Sequence, residues 1–413
     1  MNRVVANREN GTAGGLLFTA FEPSGDSLAA PVIGAMRELS PDTPIWAMGG
    51  PQMQEAGASM IELTTERPVM HLGAATHAWI HYRRLQRLKS WLSQHRIQAL
   101  VPVDSPAANW SICKQVRRQV PGAKIFHLAA PQLWAWATWR IHKLRRLTDH
   151  VLCLVPFEPD WFKERGVPAT FIGHPLFDHR GHRAGGGTTL DSPPVAGGSK
   201  LALLPGSRPG EIRVNLPTML SAFTEIQKDH RGLAGLIAVD NEMSAERVRN
   251  AVRGQMKTEG FPDGLDMRIG QTDAVLHWCD LALVKSGTIT LQVAAHRRPM
   301  VAMYNLNWWG WQLLGRWVVR TRPLTLPNLI SKAAGSGPAI IELVPHWGAV
   351  EPVVKALKTL ISDPAARAQQ ISRFEEIASQ FAGHRFAAAA AGHLAVAVDA
   401  GPPPAPISSG PVG

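Results

Sequence analysis

The sequence predicts an α/β fold made of two successive doubly wound halves. Short apolar segments typical of buried parallel strands recur along the chain and alternate with helical patterns. Several of these segments run directly into turns that contain glycine, serine or proline, as strands of such folds do before a helix. Residues 179–199 are rich in glycine, proline and serine and poor in apolar residues. Such a composition marks a linker between two domains.

Length and composition agree with two domains and indicate an anionic partner. The chain has 413 residues, of which 45% are hydrophobic, and this is enough for two cores. Lys and Arg number 43 against 32 Asp and Glu, which gives a formal net charge of +11. Nucleic acid, a membrane surface and a phosphorylated substrate are the candidate partners of a basic protein. The basic residues are scattered and form no recognised nucleic-acid module, so binding to nucleic acid is not expected.

The cysteines and the hydropathy of the sequence indicate whether metal sites are expected and where in the cell the protein is located. Cys113, Cys153 and Cys279 lie in apolar surroundings without a CxxC pair or a matched histidine spacing, so we predict neither disulfides nor a metal site. The chain shows no secretory signal pattern, and no apolar run approaches the roughly 20 residues that span a bilayer. We therefore expect a cytoplasmic protein whose contact with a membrane is peripheral.

The first half begins with the opening strand, turn and helix of a doubly wound domain. After a flexible leader at 1–14, the strand GLLFTAF at 15–21 runs into the turn EPSGD at 22–26, and a helix follows. This turn lacks the GxGxxG pattern, so NAD binding is disfavoured. Later strands of this half are predicted at 44–49, 99–103, 124–128, 151–155 and 169–172.

Asp104 directly follows the strand at 99–103 and is a candidate catalytic residue. An aspartate at the carboxyl tip of a parallel strand is placed to face a ligand, where it can take a proton from a hydroxyl group. A structural loop cap is the alternative for Asp104. Asp26 has a similar pair of interpretations, ligand contact or helix cap.

Two segments combine basic and aromatic residues. Residues 69–92 have the pattern of an amphipathic basic helix, and residues 308–322 contain tryptophans beside an arginine-containing run. Both suit an anionic lipid interface, while a solvated basic face is the alternative for the first segment. Their aromatic residues include Trp79, Tyr82, Trp91, Trp308, Trp309, Trp311 and Trp317.

The second half contains the most informative stretch, LALLPGSRPGEI at 201–212. An apolar strand stops at Pro205, and a helix begins near Glu211 after a tight turn. A second strand, DLALVK, ends in the turn SGT at 286–288 before another helix. Helix N-termini favour phosphate, and in a parallel sheet both turns lie at the carboxyl edge. The sequence therefore predicts a diphosphate pocket in this half.

Nine motifs between about residue 16 and about residue 330 occur in an order that resembles the lipid A disaccharide synthase family. They are EPSGD at 22–26, GGPQMQEAG at 49–57, DSPAAN at 104–109, PQLWAW at 131–136, PFE at 156–158, FIGHPL at 171–176, LALLPGSRPGEI at 201–212, SGT at 286–288 and LPNL at 326–329. Each motif is short, but nine in one order are specific.

The resemblance implies the GT-B architecture of glycosyltransferases, in which two Rossmann-like domains face each other across a cleft. With the linker at 179–199, it implies an acceptor domain at 15–178 and a UDP-sugar donor domain at 200–345, and the sequence pattern beyond predicts helices at 346–395 and a disordered tail at 396–413. The family's reaction moves 2,3-diacylglucosamine from its UDP conjugate to 2,3-diacylglucosamine 1-phosphate, and forms the β-1,6-linked disaccharide 1-phosphate and UDP with inversion. It implies no metal and no other cofactor.

The same resemblance implies partners and a location. Two acylated substrates would keep the enzyme at an anionic inner-membrane surface, peripheral on its cytoplasmic face. Whether the chain forms a homodimer is left open. Two such domains usually close over the donor, so we expect a hinge near residues 178–200.

The motifs also imply roles for individual residues of this chain. Asp104 is the expected general base for the acceptor hydroxyl, Asn109 its orienting neighbour, and Glu22 a further carboxylate of the catalytic site. The acceptor is expected at Ser24, Gly25 and Asp26. The donor is expected at Gly206, Ser207, Arg208, Glu211, Ser286, Gly287, Thr288, Gln292 and Asn328.

Three departures from the family pattern bear on the acceptor and the rate. Phe21 stands where the family has a turn glycine, Ala107 and Ala108 replace Asp-Phe, and Gln292 replaces a glutamate expected to hold the ribose hydroxyls. Two alternatives therefore stay open. One is a divergent GT-B transferase or an enzyme like UDP-N-acetylglucosamine 2-epimerase, and the other is a non-catalytic glycolipid binder at the membrane surface.

Overall fold

The structure is a computed structural model that describes residues 14–65, 74–129, 131–178, 190, 193–194, 197–256, 260–306 and 321–399. Several predictions fall outside these ranges. They are the leader up to residue 13, most of the linker at 179–199, residues 69–73 of the first basic segment, Trp308, Trp309, Trp311 and Trp317 with most of their basic run, and the tail from residue 400.

The chain divides into two compact units. Among the described residues, unit 1 contains 14–133, 138–175 and 383–399, and unit 2 contains 134–137 and 176–382. Each unit is a parallel sheet covered by helices, which confirms the predicted α/β class. The chain returns to unit 1 for its last described helix, so the helices predicted at 346–395 do not all belong to one unit.

Unit 1 has a seven-stranded parallel sheet in the order β3-β2-β1-β4-β5-β6-β7. Its strands are β1 (Gly15–Thr19), β2 (Ile45–Gly49), β3 (Ser59–Leu63), β4 (Ile97–Pro102), β5 (Lys124–Leu128), β6 (His150–Cys153) and β7 (Ala169–Phe171). Strand β1 is buried throughout, and its central residues are apolar, because both faces of the sheet are covered. Leu16 and Phe18 pack into one core cluster, and Leu17 packs into the cluster on the other face.

The helices of unit 1 cover both faces of this sheet. They are α1 (Pro23–Leu39), α2 (Pro51–Glu55), α3 (Ala74–Leu92), α4 (Pro106–Gln119), α5 (Ile141–Leu147), α6 (Glu158–Lys163) and the last described helix, Phe386–Asp399. The last helix packs beside α1 in the cluster of Leu16. Helices α3 and α4 lie on the opposite face, in the cluster of Leu17.

Unit 2 has a six-stranded parallel sheet in the order β10-β9-β8-β11-β12-β13. Its strands are β8 (Lys200–Leu204), β9 (Ala234–Val239), β10 (Leu265–Ile269), β11 (Leu281–Lys285), β12 (Met300–Asn305) and β13 (Ile341–His346). Its helices are α7 (Pro209–Asp229), α8 (Glu242–Met256), α9 (Thr272–Trp278), α10 (Ile289–Ala295), α11 (Leu326–Ala333), α12 (Val350–Ser362) and α13 (Pro364–Ser379).

The sequence analysis missed two strands, β3 and β13. Both lie at an edge of their sheet. Most residues of β3 are only partly buried, and β13 contains both the polar Glu342 and Pro345. Edge strands tolerate proline and lack the continuous apolar run of a central strand, so their sequences give a weak signal.

Candidate functional site

Each sheet reverses its strand order at one point, and ligands of such folds bind at the carboxyl edge there. In unit 1 the reversal lies between β1 and β4, where Thr19 is in register with Pro102. In unit 2 it lies between β8 and β11, where Leu204 is in register with Val284. The turns at 22–26 and after residue 103 therefore meet in unit 1, and those at 205–208 and 286–288 meet in unit 2. This confirms the prediction that both turns of the second half lie at one edge.

In unit 1, Ser24 and Asp104 are hydrogen-bonded. The Ser24 hydroxyl donates to Oδ2 of Asp104 at 3.3 Å. Asp104 and Ser105 have φ angles of 49° and 30°, in the left-handed region that side chains rarely adopt. A hydrogen bond of 3.0 Å from the Asp104 amide to the Leu128 carbonyl holds this backbone in place. Strained backbone of this kind often occurs where a side chain must point at a ligand.

Asn109 fixes the segment that carries Asp104. Its side chain is fully buried, and Nδ2 donates to the carbonyls of Val103 and Asp104, both at 3.1 Å. Its Oδ1 accepts a hydrogen bond of 2.7 Å from the Thr19 hydroxyl. Asn109 thus ties the tip of β4 to the end of β1 and holds the backbone at Asp104, while its role as the orienting neighbour of a catalytic base stays a prediction.

His127 lies on β5, next in the sheet to β4, the strand that precedes Asp104. The ring is fully buried, and among the described residues neither ring nitrogen makes a hydrogen bond of ordinary geometry, although the Asp104 backbone is close enough to affect the ring. Burial lowers the pKa of His127 to about 4, so the imidazole is neutral near pH 7.

The other residues of the first turn divide into exposed and structural ones. Glu22 and Ser24 are exposed at the start of α1, while Gly25 and Asp26 are buried. The Asp26 carboxylate accepts hydrogen bonds from the amides of Gly50, Gln52 and Met53 at 3.0 to 3.1 Å. It therefore caps α2 rather than its own helix. This geometry supports a structural role for Asp26, and its contact with an acceptor stays a prediction.

The departure at Phe21 has a local structural consequence. The ring is partly buried against the cluster of Leu17, and the guanidinium carbon of Arg84 lies 5.7 Å from the ring centroid. Arg84 in turn pairs with Glu62, with Nε and Oε1 2.9 Å apart. The aromatic ring thus joins the end of β1 to α3, which a glycine could not do.

In unit 2, Gly206 and Glu211 shape the first turn. Gly206 has a φ of 107°, and a Cβ at this position would lie 2.6 Å from Oε2 of Glu211. Only glycine fits both the angle and the space. Glu211 is buried, and its Oε2 accepts a hydrogen bond of 3.4 Å from the Arg208 amide at the start of α7. The Arg208 side chain is 68% exposed.

Lys285 is a charged residue of this site that the sequence analysis missed. Its Nζ lies 2.8 Å from Oε1 of Glu211, and the two side chains are 13% and 9% exposed. It also lies 4.8 Å from the ring centroid of Tyr304. Burial and the charge of Glu211 raise the pKa values of Tyr304 and of Asp240, which follows β9. A lysine that ends the apolar strand LALVK was the available sequence signal.

The second turn of unit 2 has its backbone held at both ends. The Ser286 amide donates to the Met303 carbonyl on β12 at 2.8 Å. The Gly287 carbonyl accepts from the Thr290 hydroxyl at 2.7 Å and from the Thr290 amide at 3.1 Å. Ser286 and Gly287 are partly buried, and Thr288 is exposed. The exposed end of this turn is the part available to a ligand.

Gln292 takes part in a side-chain cluster that the sequence did not predict. Its Nε2 donates to Oδ1 of Asp273 at 2.8 Å, and Nε2 of His296 lies 2.9 Å from the same oxygen. The hydrogen bond with His296, followed by that from Gln292, lowers the pKa of Asp273 to about 2. Where the family has a glutamate on α10, this chain therefore has an amide beside a carboxylate supplied by α9.

Asn328 is buried and fully hydrogen-bonded inside unit 2. Its Oδ1 accepts from the amides of Ala339 and Ile340 at 2.7 and 2.9 Å. Its Nδ2 donates to the Ile340 carbonyl and to Oε2 of Glu342 at 3.2 and 3.0 Å. Because a side-chain amide has two donors and two acceptor positions, none remains for a ligand. This geometry does not support the predicted donor contact of Asn328.

The described residues contain neither a cluster of metal ligands nor a membrane-spanning helix. Within those ranges, no group of three or more His, Cys, Asp or Glu side chains could hold a metal ion. None of the helices that the structure describes combines the length and the hydropathy needed to cross a bilayer.

Comparison with known proteins shows which family this chain resembles. A family model described as lipid-A-disaccharide synthetase matches residues 16–373. The lipid-A-disaccharide synthase of Albidiferax ferrireducens is 30% identical over 350 residues, which cover 80% of this chain and 86% of the relative.

Solved structures with the same fold include an epimerase and a glycotransferase. A putative UDP-N-acetylglucosamine 2-epimerase from Listeria monocytogenes aligns with a TM-score of 0.64 at 12% identity and covers 94% of this chain and 96% of its own. The kitacinnamycin glycotransferase aligns with a TM-score of 0.60 at 15% identity and covers 93% of this chain and 99% of its own. At such low identity these two likenesses show the fold alone.

Proposed function

The chain belongs to the lipid-A-disaccharide synthetase family, and from this premise we propose how its residues carry out the family's reaction. It is a glycosyltransferase that moves 2,3-diacylglucosamine from UDP-2,3-diacylglucosamine to the 6-hydroxyl of 2,3-diacylglucosamine 1-phosphate. The products are the β-1,6-linked disaccharide 1-phosphate and UDP. The observation that carries the assignment of roles is the position of Asp104 at the switch point of unit 1, with Ser24 bound to its carboxylate.

Asp104 acts as the general base. It takes the proton of the acceptor 6-hydroxyl while that oxygen forms a bond to the anomeric carbon of the donor sugar. The bond from the anomeric carbon to the diphosphate breaks, its electron pair leaves with UDP, and the carbon is inverted. The backbone hydrogen bonds of Asn109 support this role because they hold the strained segment that carries the carboxylate.

Unit 2 binds the UDP-sugar at its own switch point. The turns at 205–208 and 286–288 lie side by side there because β8 and β11 are paired. Exposed Arg208 supplies a guanidinium suited to phosphate oxygens. Such donors stabilise the charge that develops on departing UDP, and this chemistry needs no metal ion.

A detergent-micelle assay tests the function and the base together. The parent protein, Asp104→Asn and Asp42→Asn are compared with UDP-2,3-diacylglucosamine and radiolabelled acceptor. Asp42 is an exposed carboxylate of the same unit and serves as the matched control. We expect disaccharide from the parent and the control, and a loss of roughly 100-fold or more in Asp104→Asn, because a general base contributes about that factor. Product at the parental rate from Asp104→Asn would remove Asp104 from this role, and no product from the parent would overturn the function.

The helices α3, α4 and α5 support peripheral binding to an anionic membrane. Residues 74–92, 106–119 and 141–147 contain four, three and three Lys or Arg residues and no Asp or Glu, and Arg140 directly precedes the last of these helices. Helix α3 packs against α4, and α4 packs against α5. Not every cation is available, because Arg84 and Arg117 pair with Glu62 and Asp149. Trp79, Tyr82 and Trp139 are 56%, 59% and 61% exposed.

An exposed aromatic and basic surface of this kind suits a lipid headgroup region. The guanidinium carbon of Arg83 lies 4.7 Å from the ring centroid of Trp79, so the cation and the ring form one patch. Aromatic rings settle at the headgroup level, and basic residues attract anionic lipid. We infer that this surface keeps the enzyme near its acylated substrates. This surface is called the basic helix face below.

A further inference from the structure

Lys285 is a buried cation at the switch point of unit 2. It ends β11, and the other four residues of that strand are buried and apolar. Its ammonium group pairs with Glu211 at 2.8 Å, and both side chains are largely buried. Removing two charges from water is costly, and well-packed apolar residues often serve stability as well or better. A contribution to the stability of the fold is therefore a weak explanation for this ion pair.

The ammonium of Lys285 adjoins both turns of the donor site. Its Nζ lies 3.1 Å from the position that a Cβ on Gly287 would occupy, so it lies against the backbone of the second turn. Its partner Glu211 binds the Arg208 amide and so braces the first turn. The cation is thus placed where the two turns approach each other.

The pairing leaves Lys285 able to bind an anion. Nη1 of Arg208 lies 3.7 Å from the same Glu211 oxygen, so two cations share one buried carboxylate. An ammonium group has three N–H donors, and one carboxylate oxygen takes one of them. Phosphate oxygens are suited to the others, because lysine binds phosphate as a compact point charge.

We propose that Lys285 is a further donor-site residue whose ammonium contacts the diphosphate of the nucleotide sugar, and that Glu211 is the positioning residue that holds it between the two turns. The inference rests on the proposed function. When the bond from the anomeric carbon to the phosphate oxygen breaks, the electron pair stays on that oxygen. The negative charge therefore grows beside a cation that is already in place.

Affinities for UDP, UMP and uridine separate a phosphate contact from a structural ion pair. Lys285→Met alone leaves the buried Glu211 carboxylate without its closer cation, so the double variant Lys285→Met/Glu211→Gln is measured beside it. Both should bind UDP about tenfold or more weakly, as expected for the loss of a charge-assisted hydrogen bond, and uridine within about twofold of the parent. The affinity for UMP, which has one phosphate group, should decrease by less than the affinity for UDP.

Two further variants sharpen the comparison. Lys285→Arg keeps the charge and should keep most of the UDP affinity. Lys358→Met removes a cation that pairs with Asp229 elsewhere in unit 2 and should leave all three affinities unchanged.

The outcomes distinguish the inference from the function on which it rests. If the parent binds UDP but the Lys285 variants keep the parental ratio of UDP to uridine affinity, the ion pair is structural and the inference is overturned. If the parent does not bind UDP, the proposed function fails and the inference fails with it.

Discussion

The hydroxyl group of Ser24 donates a hydrogen bond to Oδ2 of Asp104 over 3.3 Å, although 80 positions separate the two residues in the chain. They meet because β1 and β4 are neighbours in the sheet and each residue follows the end of its strand. One residue belongs to the turn predicted to bind the acceptor, and the other is the predicted base. A hydroxyl donor at this point orients the carboxylate of the predicted base.

Ser24→Ala should lower kcat and leave the fold intact. The lost hydrogen bond is partly exposed, so we expect a decrease of about 2- to 10-fold, which corresponds to about 0.5–1.5 kcal/mol. Steady-state assays at saturating donor measure it. Ser27→Ala is the matched control, because Ser27 lies on the same helix and accepts a hydrogen bond from Gln52. An equal decrease in both variants would contradict a specific role for Ser24.

Gly206→Ala should disturb the donor site more than Gly335→Ala. Both glycines have a positive φ, 107° and 76°, but nothing lies within 4 Å of a Cβ at Gly335, whereas Glu211 lies 2.6 Å from one at Gly206. The left-handed conformation costs each alanine about 1–2 kcal/mol. Gly206→Ala must also displace Glu211 and with it Lys285. We expect a lower melting temperature in Gly206→Ala than in Gly335→Ala, and weaker UDP binding only in Gly206→Ala. If Gly206→Ala and Gly335→Ala bound UDP equally well, a displacement of Glu211 would have no effect on the donor site.

Gln292→Glu restores the residue typical of the family, yet it should weaken UDP binding. A carboxylate at this position could not donate a hydrogen bond to Asp273. It would instead lie beside the negatively charged Asp273 carboxylate, whose pKa is held near 2 by His296 and Gln292 in the parent. The repulsion should be greater at pH 8 than at pH 5, where one of the two carboxylates can take up a proton. Calorimetric titration with UDP at both pH values measures the effect.

An exchange of partners provides the control for Gln292→Glu. In the double variant Gln292→Glu/Asp273→Asn the new amide can donate to the new carboxylate, so the pair is restored in reverse. UDP affinity should then recover toward the parental value. A single variant that binds UDP as tightly as the parent would contradict the contact between Gln292 and Asp273.

Stability should fall as the pH decreases from about 6.5 to about 4, in part through His127. The folded pKa is lowered to about 4, while the unfolded histidine titrates near 6.5. In that window the unfolded chain binds a proton that the folded chain does not, so the free energy of unfolding decreases by up to roughly 3 kcal/mol. Above pH 6.5 both states are neutral, and the contribution is constant.

His127→Phe removes this titration and should flatten the pH dependence. Urea unfolding at pH 7.5, 5.5 and 4.5 compares the variant with the parent. His174, whose pKa burial also lowers to about 4, is present in both proteins and cancels in the difference. Parallel curves for the two proteins would show that His127 is not buried as a neutral ring.

The sequence predicted the central strands and the two pairs of turns because these are local patterns. Strand β5 was predicted at its observed bounds, 124–128. Contacts between distant residues were not predicted. Glu211 and Lys285 belong to different motifs, and nothing in the order of either segment shows that one side chain reaches the other. The same holds for Asn328, whose amide is used up by backbone groups at residues 339 and 340 and by Glu342.

Charge reversal on the basic helix face should weaken binding to anionic vesicles. Arg83 and Lys89 are exposed on α3, so Arg83→Glu/Lys89→Glu changes the net charge by four without breaking an ion pair of the described residues. Each basic residue near an anionic surface contributes about 1 kcal/mol, so the partition coefficient should fall by roughly tenfold or more. Flotation with phosphatidylglycerol vesicles measures it, and phosphatidylcholine vesicles should bind neither protein.

The control for this prediction has the same change in charge at another place. Arg253→Glu/Lys355→Glu alters two exposed residues of unit 2. If binding depended only on net charge, both double variants would lose the same affinity, because each is four charges less positive than the parent. If binding depends on the basic helix face, only the α3 variant is weakened, and its residual binding should be less sensitive to salt than that of the parent. Equal losses would assign the attraction to the overall charge of the chain and not to this surface.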